Sequence, residues 1–233
     1  MTDNSQDNDS PLRRVQQRIA SASEQAGRGP DSVALLAVSK TRPAADLRHL
    51  AAQGQRCFGE NYLQEALEKI TALADLELEW HFIGPLQSNK TRPIAEHFAW
   101  VHSVDRLKIA RRLSEQRPAQ LPPLQICLQV NISAEPSKSG VSLAELPALA
   151  AQVTALPRLQ LRGLMAIPAP CEDPAQRHRP FRTLRQALEQ LNGQGMALDT
   201  LSMGMSADLE AAIAEGATMV RIGTALFGPR QYT

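Results

Sequence analysis

Residues 33–39 (VALLAVS) form an apolar, β-branched run, and Lys40-Thr-Arg-Pro43 follows it directly. A run of this length and composition, bounded by a turn, is typical of a strand buried in a parallel sheet. In an open doubly wound sheet the turn after the first strand carries a GxGxxG phosphate-binding motif, whereas the turn here is KTRP. The segment therefore favours a closed (β/α)8 barrel over its structural rival, the doubly wound sheet.

The same alternation of short apolar runs and helical periodicity continues along the whole chain. We predict eight strands, at residues 33–39, 56–59, 80–84, 100–104, 124–131, 159–167, 198–203 and 218–224. Helices are predicted at residues 11–25, 44–53, 61–73, 89–97, 105–116, 143–155, 174–192 and 207–215. This pattern suits a single (β/α)8 TIM barrel with an extra N-terminal helix, a fold for which about 250 residues is typical.

Local signals predict where some helices begin and which faces they expose. Ser206 precedes the helix at 207–215, and Asp105 stands at the start of the helix at 105–116, so both are candidate N-caps. Glu65 and Lys69 are spaced i,i+4 and lie on a different face from the apolar residues of their helix. We therefore expect them to form an ion pair away from the apolar face.

The composition limits the class of protein. The 233 residues are 43% hydrophobic and 21% charged, which suits one large domain with one core. A formal net charge of +1, without a dense basic run, argues against nucleic acid as a partner. No apolar run approaches the roughly 20 residues that a membrane span requires, so no membrane partner is expected.

The N-terminal residues and the cysteines indicate a cytoplasmic protein. Residues 1–10 (MTDNSQDNDS) are acidic, unlike a secretory signal peptide, and we expect a disordered tail before a domain at residues 11–230. Cys57, Cys127 and Cys171 show no metal-ligand spacing, and their odd number argues against a disulfide framework. A reducing compartment fits this pattern, and no metal is expected.

Lys40 is the first candidate for chemistry, because the working residues of a (β/α)8 barrel lie at the carboxyl ends of its strands. It ends the first predicted strand, where partial burial favours a neutral, nucleophilic amine that can form an imine. Taken alone, a solvated lysine that ends a strand is the simpler interpretation. Its role therefore depends on its neighbours.

Two glycine-containing turns close the last two βα units, at residues 202–206 (SMGMS) and 221–224 (RIGT). Loops at these positions of a barrel often bind phosphate through backbone N–H groups, and Ser206 and Thr224 add hydroxyl donors. Either turn alone needs no ligand. Together with a lysine on the first strand, they point to a phosphorylated carbonyl compound.

Further polar residues lie within or just after the strands. Arg221 stands in an apolar strand, where a guanidinium needs an acceptor; a carboxylate and a ring nitrogen of a planar ligand are open alternatives. Asn61 follows the second strand and is well placed to meet a ligand. His81, inside the third strand, is interpreted as a core histidine bonded to a neighbour.

Seven motifs in order resemble the pyridoxal 5′-phosphate homeostasis protein family: LLAVSKTRP, CFGENYLQE, WHFIGPLQSNK, VNISAEPSKSG, LRGLMAIP, LSMGMSADLEAAI and VRIGTALFG. The resemblance implies a single barrel similar to the N-terminal domain of alanine racemase, with pyridoxal 5′-phosphate (PLP) held as a Schiff base. It implies these residues at the cofactor: Lys40 for the Schiff base, Ser206, Gly223 and Thr224 for the phosphate, Arg221 at the pyridine nitrogen, and Asn61 and Met203 beside the cofactor.

The resemblance favours a cofactor carrier or buffer over an enzyme. An arginine at the pyridine nitrogen leaves the ring unprotonated and weakens its action as an electron sink. The chain also ends at Thr233, without the second domain that supplies a catalytic tyrosine in alanine racemase. The alternatives are a small PLP-dependent amino-acid racemase or other imine-forming barrel enzyme, and an interaction protein with a vestigial pocket.

The expected ligand is PLP, with other B6 vitamers as further candidates. Apo PLP-dependent enzymes are candidate partners that would receive the cofactor. A monomer is expected, because in the racemase one dimer interface comes from the second domain, which this sequence does not contain.

Overall fold

Eight parallel strands close into a barrel in the computed structural model, which describes residues 10–133, 139–169, 171 and 173–229. The strands are β1 (Ala34–Val38), β2 (Cys57–Glu60), β3 (Glu79–Phe82), β4 (Trp100–Val104), β5 (Leu124–Gln129), β6 (Leu159–Met165), β7 (Thr200–Ser202) and β8 (Met219–Ile222). β1 pairs with β2 on one side and with β8 on the other, which closes the sheet. The predicted (β/α)8 TIM barrel is confirmed.

Helices surround the barrel. They are α1 (Pro11–Gln25), α2 (Ala44–Ala52), α3 (Leu63–Ala72), α4 (Thr91–His97), α5 (Leu107–Gln116), α6 (Leu146–Thr154), α7 (Pro174–Arg177), α8 (Arg179–Gly193), α9 (Leu209–Ala214) and α10 (Thr224–Phe227). A 3-10 turn, Ser88–Lys90, precedes α4. The predicted bounds of α1 are confirmed; the Ser10 side chain accepts from the backbone N–H of Arg13, and Pro11 occupies the first helical position.

The hydrophobic core lies between the sheet and the helices. Successive side chains of a strand point to opposite faces, so residues such as Ala37, Phe58 and Phe82 pack outward among helix side chains. Phe82 meets Phe98 edge-on, with ring centroids 5.4 Å apart. Gly163 allows β6 to approach β7 closely, because a Cβ there would lie 1.8 Å from the carbonyl oxygen of Thr200.

Both predicted N-caps are wrong. α9 begins at Leu209 with Asp208 at its N-cap, so Ser206 lies in the preceding turn. That turn is held differently: the Asp208 carboxylate accepts from the backbone N–H of Met205 at 2.6 Å. The N-cap of α5 is Arg106, and Asp105 instead pairs with the Arg106 guanidinium at 2.6 Å.

The last helices of the chain, the N-terminal tail and the absence of a membrane span were also predicted from the sequence. The helix predicted at 174–192 is two helices, α7 and α8, and α10 was not predicted. The predicted tail at 1–10 lies outside the described residues apart from Ser10. Among the described residues, no helix has both the length and the apolar composition needed to cross a membrane.

Candidate functional site

A cavity of about 290 Å³ opens at the carboxyl ends of the strands. Its walls come from the ends of β1, β2, β3 and β6, from the turn between β7 and α9, and from the end of β8 with the start of α10. Its lining residues are Val38, Lys40, Arg42, Asn61, Ile83, Ile167, Met205, Ser206, Ala207, Arg221, Gly223, Thr224 and Gly228. The cavity lies on the face of the barrel where the sequence predicts chemistry.

Six of the seven residues implied at the cofactor line this one cavity, and Met203 is the exception. Met203 is fully buried in the core between the sheet and the helices. The reason is alternation: Ser202 points into the barrel, so the next side chain points outward. Gly204, whose φ is +93°, then turns the chain so that Met205 lines the cavity instead.

The lining of the cavity is strongly cationic. Lys40, Arg42 and Arg221 contribute to it, and none of the lining residues identified in the described chain is Asp or Glu. Arg42 donates to the carbonyl oxygens of Gly228 and Pro229 at 2.6 and 2.9 Å, so no carboxylate neutralises it in these contacts. A cavity with this charge is suited to an anionic ligand such as a phosphate monoester.

The residues on both sides of Lys40 are anchored by hydrogen bonds to polar side chains of β2 and α3. The hydroxyl of Ser39 donates to the Glu60 carboxylate at 2.6 Å, and its carbonyl accepts from the Lys69 ammonium at 2.7 Å. The backbone N–H of Thr41 donates to Glu65 at 2.6 Å. Thr41 has a φ of +63°, a strained conformation for a β-branched residue, so these bonds hold a sharp turn directly after Lys40.

Lys69 is buried, and it binds two carboxylates. It is 5% exposed and lies 2.7 Å from Glu60 and 2.5 Å from Glu65. The predicted Glu65–Lys69 pair is therefore present, but it points inward because Glu60 is fully buried beneath the helix and requires a cation. Burial raises the pKa of Glu60 above its usual range, against the opposing effect of Lys69.

Arg221 is held by neutral acceptors on β6 and β7. Its Nη1 donates to the carbonyl oxygen and the hydroxyl of Ser202 at 2.5 and 2.9 Å, and its Nη2 donates to the carbonyl of Ala166 at 2.9 Å. Burial lowers its pKa to about 10. The sequence left a carboxylate and a ring nitrogen of a ligand as possible acceptors for Arg221, and no carboxylate of the described chain bonds to it. The Nε–H group and one N–H of Nη2 have no acceptor among the described residues.

The turns at the end of β7 and β8 present donors to the same cavity. The backbone N–H groups of Ser206, Gly223 and Thr224 have no acceptor among the described residues. Gly223 also approaches β1 closely, since a Cβ there would lie 3.2 Å from the carbonyl oxygen of Val38. Backbone amides beside two hydroxyl groups form an arrangement that can bind the oxygens of a phosphate.

The side chain of Asn61 indicates that the cavity is suited to a polar ligand. Its side-chain Oδ1 is buried and has no hydrogen-bond partner in the described structure. A buried polar atom without a partner is costly, and a ligand donor or a water can satisfy it.

Sequence reasoning missed several lining residues, of which Arg42 is chemically the most important. Arg42 lies two residues after Lys40 in the KTRP turn, and its position after a strand was a signal available in the sequence. Ile83, Ile167 and Met205 give the cavity an apolar wall. They were not identifiable locally, because which side of a chain faces a cavity depends on the turn that carries it.

Two larger grooves lie at the opposite end of the barrel. One, of about 920 Å³, runs between α1 and the starts of β1 and β2, and another, of about 670 Å³, lies beside the starts of β3 to β6. We place the functional site in the smaller cavity because it gathers a strand-end lysine, two arginines and unpaired amide donors. Size alone does not select a site, whereas convergent polar groups do.

The structure also brings together Cys57, Glu79 and His81, whose side chains are of types that bind metals. Their spacing in the sequence did not indicate a metal site. One ligand atom from each lies within 4.8 Å of the others. Glu79 already accepts from the His81 ring at 2.8 Å and from the Cys57 thiol at 3.6 Å. Burial, with the nearby Glu79, raises the pKa of the Cys57 thiol to about 12, which disfavours the thiolate that a metal requires.

A comparison with known proteins identifies the class of barrel to which this chain belongs. Residues 11–231 match the family described as alanine racemase, N-terminal domain. The structure of alanine racemase from Corynebacterium glutamicum is 19% identical, with a TM-score of 0.66, over 94% of this chain and 62% of that one. The fold and site thus define a barrel of the alanine racemase N-terminal type.

More similar relatives narrow the assignment. A pyridoxal phosphate homeostasis protein of Pseudomonas aeruginosa is 66% identical over 221 residues, which cover 95% of both chains. The one from Escherichia coli K12 is 55% identical over 225 residues, covering 95% of this chain and 96% of that protein. The structure of PipY from Synechococcus elongatus with PLP bound is 42% identical, with a TM-score of 0.80, over 92% of this chain and 100% of that one. The chain belongs to the pyridoxal phosphate homeostasis protein family.

Proposed function

We propose that this chain binds PLP reversibly at the C-terminal mouth of its barrel, with Lys40 as the covalent anchor, and serves in the homeostasis of that cofactor. The observation that carries the proposal is the convergence of Lys40, two arginines and the amide donors of two turns on one cavity. The names of the relatives and the PLP found in PipY support it.

The residues of the cavity fit the chemical groups of PLP. The aldehyde of PLP forms a Schiff base reversibly with a primary amine, and Lys40 supplies that amine at the cavity wall. The amides and hydroxyls of Ser206 and Thr224, with the amide of Gly223, would bind the phosphate. Arg221 would donate to the ring nitrogen, and Asn61 offers its unpaired Oδ1 to a polar group of the ligand.

A carrier suits this cavity better than an enzyme. Proton transfer at a bound substrate requires an acid and a base on opposite sides, and Lys40 can supply one of them. Among the lining residues of the described chain, none is Asp, Glu, His, Cys or Tyr that could supply the other. An arginine donor at the ring nitrogen also opposes protonation of the ring, and this weakens the electron-sink chemistry of PLP.

The test of the proposal is an absorption spectrum of the purified protein with PLP, followed by borohydride reduction and mass mapping of the modified peptide. We expect a visible band and one reduced adduct, on Lys40. Lys40→Ala should lose both, whereas Lys108→Ala, which removes an exposed lysine of α5, should keep both. Adducts scattered over surface lysines would contradict the proposal.

Three further points belong to the proposal. We propose that the protein works in the cytoplasm, which agrees with its three free cysteines. We propose that it acts as a monomer and passes PLP to apo PLP-dependent enzymes, with other B6 vitamers as additional ligands. The enzyme alternative is tested directly: we expect no racemisation of alanine or serine by the PLP-loaded protein, and steady turnover of either would overturn the carrier interpretation.

A further inference from the structure

A chain of hydrogen bonds runs through the interior of the barrel, from its N-terminal mouth to the cavity. Glu79 contacts Nε2 of His81 at 2.8 Å, and Nδ1 of His81 contacts Nε2 of His102 at 2.9 Å. Nδ1 of His102 contacts the hydroxyl of Ser202 at 2.8 Å, and that hydroxyl accepts from Arg221 at 2.9 Å. We call Glu79, His81, His102, Ser202 and Arg221 the interior relay.

The chemistry of the two ends fixes the direction of every bond in the relay. Arg221 can only donate, so the Ser202 hydroxyl accepts from it. At the other end the ionised Glu79 can only accept, so each neutral imidazole donates toward it through Nε2, and Nδ1 of His102 is left to accept the proton of the Ser202 hydroxyl. His102 then carries its proton on Nε2 and donates to Nδ1 of His81. His81 likewise carries its proton on Nε2 and donates to Glu79. The hydrogen bond from His81 lowers the pKa of Glu79, which keeps it an ionised acceptor.

The surroundings keep both imidazoles neutral, as this direction requires. Both rings are fully buried, and His81 stacks on Trp100 with centroids 5.5 Å apart and planes 5° from parallel. Burial lowers the pKa of His81, against the opposing effect of Glu79. Burial lowers the pKa of His102 further, together with the nearby His81 and the positive charge of Arg221.

We propose that Ser202, His102 and His81 are positioning residues that orient the Arg221 guanidinium for the ring of the bound cofactor. They give its Nη1 a fixed acceptor, and the carbonyl of Ala166 fixes Nη2, so the remaining N–H groups are the ones left for a ligand. Because the relay supplies protons only in the direction of Glu79, it offers the ring nitrogen a donor but no mobile proton. This inference rests on the proposed binding of PLP.

The first test needs no ligand. Nitrogen-15 labelling of histidine in the apoprotein, with His81→Gln and His102→Gln to assign the signals among the five histidines, reports which ring nitrogen is protonated. At neutral pH we expect both buried rings as neutral tautomers with the proton on Nε2. A proton on Nδ1 of His102 would reverse the chain and overturn the inference.

The second test measures the effect on PLP. Ser202→Ala removes the hydroxyl that accepts from Arg221 and donates to His102, and leaves only the backbone carbonyl at Nη1. We expect it to weaken PLP binding about tenfold and to shift the absorption maximum of the bound cofactor. Ser202→Thr, which keeps a hydroxyl, should restore the wild-type spectrum. The matched control is Ser114→Ala, because Ser114 is also buried but donates to the carbonyl of Pro157 at the far end of the barrel.

The outcomes separate the inference from the proposed function. Wild-type protein that takes up no PLP would overturn the proposed function. Wild-type protein that binds PLP, with Ser202→Ala showing the same affinity and spectrum, would overturn the inference alone. A shifted spectrum in Ser202→Ala that Ser202→Thr reverses, with Ser114→Ala unchanged, would support both.

Discussion

The two arginines of the cavity differ from Arg162, at the opposite mouth of the barrel, in what they are bonded to. At the C-terminal mouth, Arg42 and Arg221 donate to backbone carbonyls and a hydroxyl. At the N-terminal mouth, Arg162 grips the Asp199 carboxylate with two bonds, of 3.0 and 2.6 Å. A carbonyl fixes a guanidinium without cancelling its charge, whereas a carboxylate neutralises it. The guanidinium charges of the cavity are therefore available to an anion, whereas the charge of Arg162 is already compensated.

The charges that support the two mouths also differ in burial. Beneath the C-terminal mouth, Lys69 and Glu60 form a pair with almost no exposure. At the N-terminal mouth, the side chains of Arg162 and Asp199 are 29% and 57% exposed. Water and salt screen the second pair but hardly reach the first, so breaking the first should cost far more.

The largest expected effect comes from Lys69→Met. Removing this cation leaves the fully buried Glu60 without its partner, and we expect a loss of about 3 kcal/mol in the free energy of unfolding at neutral pH. Without Lys69 the pKa of Glu60 would rise further, so folding must keep it protonated and the loss should grow as pH rises. Urea unfolding at several pH values measures both quantities.

Two variants control this experiment. Arg92→Met breaks another i,i+4 pair, with Glu96 at 3.8 Å on the surface, and should leave stability unchanged within error. The double variant Lys69→Met with Glu60→Gln removes both buried charges and should recover part of the loss. If wild type and Lys69→Met are equally stable, the buried Lys69–Glu60 pair does not stabilise the turn that carries Lys40.

A change of pH is expected to have an intermediate effect on the free energy of unfolding, through the two buried histidines of the interior relay. The pKa values of His81 and His102 are lowered in the folded state, so the unfolded chain binds more protons once pH falls below the ordinary histidine value. Stability should therefore fall between about pH 7.5 and pH 5.5, by at most about 1.4 kcal/mol per pH unit for each ring.

This pH dependence is assignable by substitution. His102→Gln should flatten the slope of unfolding free energy against pH, measured by urea unfolding. His97→Gln removes an exposed imidazole and should keep the wild-type slope. A slope unaffected by His102→Gln would mean that the buried rings are not the groups that take up protons on unfolding.

The smallest effect is expected at the N-terminal mouth. Arg162→Met breaks the half-exposed pair with Asp199 and the contact of Arg162 with the Trp100 ring, whose centroid lies 5.1 Å away, so we expect a loss of about 1 kcal/mol or less. The PLP spectrum should be unchanged, because Arg162 neither lines the cavity nor belongs to the interior relay. A lost spectrum with intact folding would contradict this assignment of Arg162 to stability alone.

Much of the fold was predictable because its signals are local. The bounds of α1 follow from the helical periodicity of its own segment, and the strands follow from their short apolar runs. The predicted caps failed for two reasons. The turn that Asp208 holds continues past Ser206, so α9 begins two residues later than predicted, and Asp105 pairs with Arg106. The interpretation of His81 as a core histidine bonded to a neighbour is confirmed.

The candidate site was predictable in part for a similar reason. Asn61 directly follows β2, and Lys40 and Thr224 stand two residues after β1 and β8. Strand ends meet at one mouth in any parallel barrel. Met203 was misplaced by one step of strand alternation, which depends on where the turn at Gly204 begins. Whether the residues at the cavity bind PLP stays a prediction until the Lys40 adduct is mapped.

Local sequence was enough for the barrel, its working end and the lysine at that end, because periodicity, turn residues and strand ends are properties of neighbouring residues. The interior relay and the burial of Lys69 required the three-dimensional fold. His102 meets Ser202 across 100 positions of sequence, and Lys69 meets Ser39 across 30. Contacts at such separations are set by how the strands register around the barrel, and no pattern within one segment specifies them.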